Sequence, residues 1–341
     1  MRDRGRAPSA HAAPEEVAAA RNGLGPERVL EIQRARILAA MVEVCAERGV
    51  ANVTVAHVVA CAGVSRRTFY ELYSDREECF LAAFDEGIAR ASRYVLDGYD
   101  PQARWEARCR AALVGLLTFL DVERGTGQLL LVGSLGAGAC ALERRRQVQA
   151  QMITLVEEGC TQAKAGTELP PLTAEGIVGG VLSVLHSRLL DAEHGSLACA
   201  SSGVSERGLL ELTGPLMSMI VLPYLGPAAA RRELARPAPT SPNRRAPVPA
   251  DPLRDVHMRL TYRTVRVLVS VATHPGSSNR EVGLAADMQD QGQISKLLTR
   301  LSRLGLIENT GAGLARGAPN AWMLTGKGLE IEQAIGEGSP G

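Results

Sequence analysis

Two adjacent arginines, Arg66 and Arg67, lie within eight positions of three aromatic rings, Phe69, Tyr70 and Tyr73. The whole chain holds only four Phe, six Tyr and two Trp, and Phe80 and Phe84 follow at once, so the concentration is local. Guanidinium groups pair with guanine edges, and a tyrosine hydroxyl reaches a phosphate. At 100° per residue counted from Ser65, Phe69 and Leu72 share one direction while Arg66, Arg67 and Tyr70 share another. The first pair suits a small core with Val64. The second set makes an exposed basic face that fits the major groove of double-stranded DNA. Thr54 and Arg76 open the flanking helices, where backbone amides and side chains can hold phosphates. A solvated amphipathic face is the plain alternative, and the elements around these residues decide against it.

Ile37, Leu38, Met41, Val42 and Cys45 recur at helical spacing between Glu31 and about Arg48, and Gly49 closes that helix. Thr54 caps a second helix running to Cys61. "AGVS" at 62–65 makes a tight turn, and Ser65 caps a short third helix. Asp75 with Glu78 three residues on gives a capping box for a fourth, reaching about Leu96. This order is a helix-turn-helix unit.

Residues 101–225 are helix-forming throughout, with breaks near Gly125, 166–171 and 195–205 and no strand alternation. Gly176 and Gly180 stand four apart in an otherwise apolar helix that continues through Val184. The stretch after Leu212 is apolar on nearly every side and needs a cover. A homodimer through 173–193 and 206–225, with Gly176, Gly180, Val184, Met217 and Val221 at the interface, is the expected cover; packing by the same chain is the alternative. Residues 226–250, Pro/Ala-rich with five arginines against Glu233, read as a linker.

The last ninety residues predict helices over about 256–273, 278–287 and 289–304, two short strands around a Gly-rich tip, and a final helix from "TGKGLEIEQAI". That is the winged-helix order. Ile294, Leu297, Leu298, Leu301 and Leu304 form its buried stripe, Trp322 closes the core, and Lys296, Arg300 and Arg303 make a second basic face for DNA. The expected organisation is a tail (1–27), a helix-turn-helix domain (28–98), a helical ligand-binding and dimerisation domain (99–225), a linker (226–250) and a winged helix (251–341). The fold class is all-α, with a C-terminal α+β module.

At 341 residues two or three domains are expected, and 38 basic against 37 acidic side chains leave no global field to attract nucleic acid or membrane. Lys164, Lys296 and Lys327 are the only lysines, a bias that carries no functional weight. The seven cysteines never come closer than sixteen residues, so no metal spacing exists. An odd cysteine count and a polar, Pro/Ala-rich start without an apolar segment suit a soluble cytoplasmic protein. His186 is eight residues from His194, too far for a ligand pair. No Ser/His/Asp or Cys/His set and no phosphate loop can be defended, so no enzyme, cofactor, metal or membrane role is expected.

Residues 33–96 resemble the DNA-binding domain of TetR/AcrR-family transcriptional regulators, through Thr54, "AGVS", "TFY" at 68–70, Tyr73, Arg76 and Glu77. The resemblance implies that Arg66, Arg67 and Thr68 read bases, that Tyr70 and Arg76 contact phosphates, and that Tyr73 wedges the third helix against the fourth. Glu71 and Leu72 depart from the pattern. The later helices are similar to those of family members whose last two helices form a dimeric four-helix bundle. Residues from Gln293 onward resemble MarR-like winged helices. The resemblance implies a repressor that leaves DNA when a small-molecule effector enters the middle domain. A ligand-independent DNA-bound scaffold, with its last domain on a partner protein, is the alternative.

Overall fold

Ile37, Met41, Val44 and Cys45 are all buried, and the helix that carries them, α1, spans Pro26–Arg48. The chain was obtained as a computed structural model that describes residues 26–162, 169–198, 208–239, 261–311 and 320–336. The expected tail up to residue 25, the linker from residue 240 onward and the Gly-rich tip from 312 to 319 lie outside those residues. α1 begins at Pro26, several residues before the expected start, and Gly49 ends it with φ 71°, a conformation glycine adopts without strain. Then come α2 (Val55–Ala62), α3 (Arg66–Leu72) and α4 (Arg76–Leu96).

The chain divides into two compact units. One comprises 37–61 and 66–248, the other 1–36, 62–65 and 249–341. In the larger unit α4 is followed by α5 (Trp105–Val122), α6 (Arg124–Leu131), α7 (Ala139–Glu157), α8 (Thr173–Ala198), α9 (Thr213–Leu225) and α10 (Pro227–Ala235). α5 is the central helix: Trp105, Leu113, Leu117, Phe119 and Leu120 are all buried. α4 crosses it closely at Gly115, where a Cβ would lie 2.5 Å from the Tyr94 carbonyl oxygen. Trp105 anchors the opposite end. Its indole N–H donates to the Leu155 carbonyl at 2.8 Å, and its ring meets Tyr224 edge-on at 5.0 Å. The apolar run 129–142 is broken by a 3₁₀ turn at Gly133–Leu135. Among the described residues no single helix is long and apolar enough to cross a membrane.

Two expectations are corrected in this unit. Residues 227–235, expected as linker, are the helix α10, packed on α9 and opened by Pro227 at its first turn. The apolar stretch after Leu212 is covered mainly from within the chain: Leu216, Met217, Ile220, Val221 and Tyr224 are buried, and of its large hydrophobic side chains only Met219 and Leu222 are exposed.

In the smaller unit, α11 (Tyr262–Thr273) starts later than the expected residue 256, because Thr261 caps it through its hydroxyl. α12 (Asn279–Ala285) opens with a Ser278–Glu281 capping box. The Asp290 carboxylate caps α13 (Gln291–Arg303), accepting from the Gly292 and Gln293 amides. β1 (Ile307–Asn309) and β2 (Trp322–Leu324) pair antiparallel, Glu308 opposite Met323, and α14 (Gly326–Gly336) follows. Val265, Leu268, Ile294, Leu298, Leu301 and Trp322 share one core; Leu297 and Leu304 pack at its edge. The Trp322 indole donates to Asn279 Oδ1 at 2.6 Å. Val29, on the first turns of α1, is part of the same core, with Ile32 packed against it.

Candidate nucleic-acid interface

Helix α3 is short, and its two faces are chemically opposite. Phe69 is fully buried, its ring 5.8 Å from that of Tyr73, which is itself 5% exposed. Tyr70 stands edge-on to Phe69 at 5.5 Å and is 57% exposed, so its ring braces the helix while its hydroxyl end faces water. Arg66 and Arg67 are exposed beside it and Thr68 is half-buried. The two-direction reading of the sequence is what the side chains do. Tyr73 lies on the inner face, where it packs rather than touches a ligand.

Electrostatics modify the basic face at one point. Arg67 Nε donates to Glu71 Oε1 at 2.8 Å, one turn along the helix, with both side chains largely in water. Such exposed i,i+4 pairs stabilise by about 0.3–0.5 kcal/mol. A phosphate or a guanine edge can therefore displace Glu71 at little cost. The i,i+4 spacing of Arg67 and Glu71 was a readable signal of this pair.

The flanking helices hold α3 in place. At α2, the exposed Thr54 hydroxyl accepts from the His57 amide at 3.3 Å, capping the helix as its position implies. Ser65 directly precedes α3 and is half-buried. At α4, Asp75 accepts from the Glu78 amide at 2.9 Å. The Glu78 carboxylate turns instead to Ser74, accepting from its hydroxyl and its amide, both at 2.6 Å, so the expected box is displaced by one residue. Those two bonds, the side-chain one first, hold Glu78 below the usual carboxylate range. His57 is the residue sequence reasoning passed over: it is half-buried on α2, and its Nδ1 has no hydrogen-bond partner among the described residues.

Arg76 is the clear departure. Its Nη1 donates to the carbonyls of Val50 and Val53, at 3.1 and 3.2 Å, on the segment between α1 and α2. The guanidinium closes the domain's own backbone instead of facing outward. A helical wheel places Arg76 at a helix start but says nothing of where its long side chain folds.

In the smaller unit Lys296, Arg300 and Arg303 are all exposed on α13. Arg300 also borders an open cleft of about 250 Å³ with Thr261, Arg263, Met288, Gln293 and Leu297, where Arg263 Nη1 donates to Gln293 Oε1 at 3.1 Å. Of the expected dimer residues, Gly176 is exposed and Gly180 and Val184 are half-buried. Met217 and Val221 are 0% exposed, so they face the chain's own core and have no surface to offer a partner. Among the described residues no three His, Cys, Asp or Glu side chains are grouped to hold a metal ion.

Residues 37–83 match the family model described as bacterial regulatory proteins, tetR family. Similar solved structures include a TetR-like transcriptional regulator from Rhodococcus sp. RHA1, at 20% identity over 56% of this chain and 94% of that one, TM-score 0.43. Another is the fatty acid degradation regulator FadR from Bacillus halodurans, at 16% over 57% and 95%, TM-score 0.46. The regulator FadR from Bacillus subtilis, in complex with stearoyl-CoA, matches at 14% over 57% and 98%, TM-score 0.44. No curated protein matches the chain.

Proposed function

Taking the tetR-type DNA-binding domain over residues 37–83 as premise, we propose that this chain is a transcriptional repressor that binds a palindromic operator as a homodimer in the cytoplasm. The family is one of DNA-binding regulators and not of enzymes. The observation that carries the reading is the division of α3, with Arg66, Arg67 and Tyr70 outward and Phe69 and Tyr73 behind them. A short helix braced by its own rings is suited to enter a major groove, because its base-reading side chains project from a rigid support. Arg66, Arg67 and Thr68 read base edges; Tyr70, Thr54 and the α2 amides reach phosphates.

Two copies supply two half-sites, and on α8 and α9 Gly176, Met219 and Leu222 are exposed, and Gly180 and Val184 half-exposed, toward a second copy. A small-molecule effector in the helical domain, releasing DNA, rests on the family resemblance alone. The C-terminal unit is read as a winged helix whose Lys296, Arg300 and Arg303 neutralise further phosphates.

Selection of bound sequences from random DNA with the full protein tests the proposal. A single inverted repeat is the expected outcome. Featureless or merely AT-rich enrichment would overturn it in favour of the scaffold.

A further inference from the structure

The family match begins at residue 37, yet α1 begins at Pro26, roughly three turns earlier. Those turns are not a solvated extension. Val29 is 2% exposed and, with Ile32, belongs to the core built by Val265, Leu268, Leu298 and Ile331. Gln33 and Arg36 are buried on the same turns, whereas Leu30 is 39% exposed. Residues 1–36 group with 249–341 as one compact unit, and the boundary falls inside α1, between Arg36 and Ile37. A module joined to its neighbour by a tether alone needs no such seat. This one has its seat on the first helix of the described residues.

We infer that the first three turns of α1 are the anchoring surface of the C-terminal unit, which acts on the DNA-reading domain through that continuous helix. No Pro or Gly interrupts α1 after Pro26, and its next turns supply Ile37, Met41, Val44 and Cys45 to the core of the reading domain. Releasing the C-terminal unit strands Val29 and Ile32 in water or frays the helix from its start, because a short helical segment without tertiary cover is unstable. Whatever binds or loosens the C-terminal unit is thereby felt at the entry to the reading domain. This does not depend on the unit touching DNA itself. Its first readout is also independent of the proposed function.

Amide hydrogen exchange on the full chain tests the anchoring. Val29→Asp should raise exchange roughly tenfold or more in 262–273 and 326–336 and leave 105–122 unchanged. Leu30→Asp, on the open side, should leave all three as in the wild type. Val265→Asp, which opens the same core from the other side, should raise exchange in 26–36. Unchanged exchange in 262–273 for the first variant, or in 26–36 for the third, overturns the anchoring. Affinity for wild-type-selected DNA tests the transmission: Val29→Asp should change it several-fold and Leu30→Asp should not. Unchanged affinity with a loosened C-terminal unit overturns that half of the inference. A wild type that selects no DNA counts against the reading domain and against transmission to it, while the exchange result decides the anchoring separately.

Discussion

Arg66, Arg67 and Arg76 lie within eleven positions and carry the same group, yet only the first two are exposed to solvent, while Arg76 is held on the Val50 and Val53 carbonyls. Arg66→Ala or Arg67→Ala should cost about 1–3 kcal/mol of operator affinity and relax base preference at defined positions. Tyr70→Ala should weaken all sequences alike and lower the salt slope by about one unit. Glu71→Gln removes the carboxylate that competes for Arg67, so binding should tighten; salt-titrated fluorescence anisotropy measures all of these. Arg76→Ala should act differently. Losing two bonds from a charged donor costs stability of about 1.5–3 kcal/mol, visible as a lower melting temperature before any DNA is added. At this scale the sequence was legible where periodicity governs, as for Phe69 against Tyr70. It was illegible where a long side chain folds back on backbone far from it in sequence, as Arg76 does on Val50.

Helix α10 shows the same limit one level up. Its Pro, Ala and Arg composition reads as linker, but Glu233 sits 4% exposed and accepts from Arg110 Nη1 on α5, with Arg236 3.7 Å away. Nothing local announces a partner 123 positions earlier. Glu233→Ala leaves the buried Arg110 uncompensated and should cost about 3–5 kcal/mol, measurable by chemical denaturation. A second carboxyl stands beside this pair. Burial first, then the Glu233 charge and a hydrogen bond with it, raise the Glu106 pKa against the pull of Arg232 and Arg236. The folded state then holds that proton more tightly than the unfolded one. Stability is greatest below the ordinary carboxylate value and declines as pH rises toward the raised one. Glu106→Gln should remove this decline, so its melting temperature should gain on the wild type from acid toward neutral pH. Helices announced by caps and apolar spacing, such as α4 and α13, were readable to within a residue or two. α10 needed the tertiary partner.

For the whole molecule, assembly separates two neighbouring residues on α9. Leu222 is 46% exposed and Val221 is 0% exposed. Leu222→Asp should yield folded monomers by light scattering with much weaker operator binding, while Val221→Asp should lose the fold itself, seen as lost helicity. A folded dimer from Leu222→Asp would move the interface elsewhere. The sequence marked α9 as apolar all round but not which half its own chain would cover, since that depends on how α5 and α10 close over it. The packing also sorts the thiols. Cys45, Cys79 and Cys109 are buried, and burial pushes their pKa values up to about 11, 12 and 12; Cys61, Cys140 and Cys160 are exposed. Because only a thiolate alkylates readily, the three outer cysteines should react within an ordinary labelling time and the three inner ones only as their surroundings open. Cys45 and Cys79 lie in the DNA-reading domain and Cys109 in the helical domain, so the unmodified chain carries its own chemical clocks for these two domains, and the order in which they are struck during heating tells which of the two gives way first.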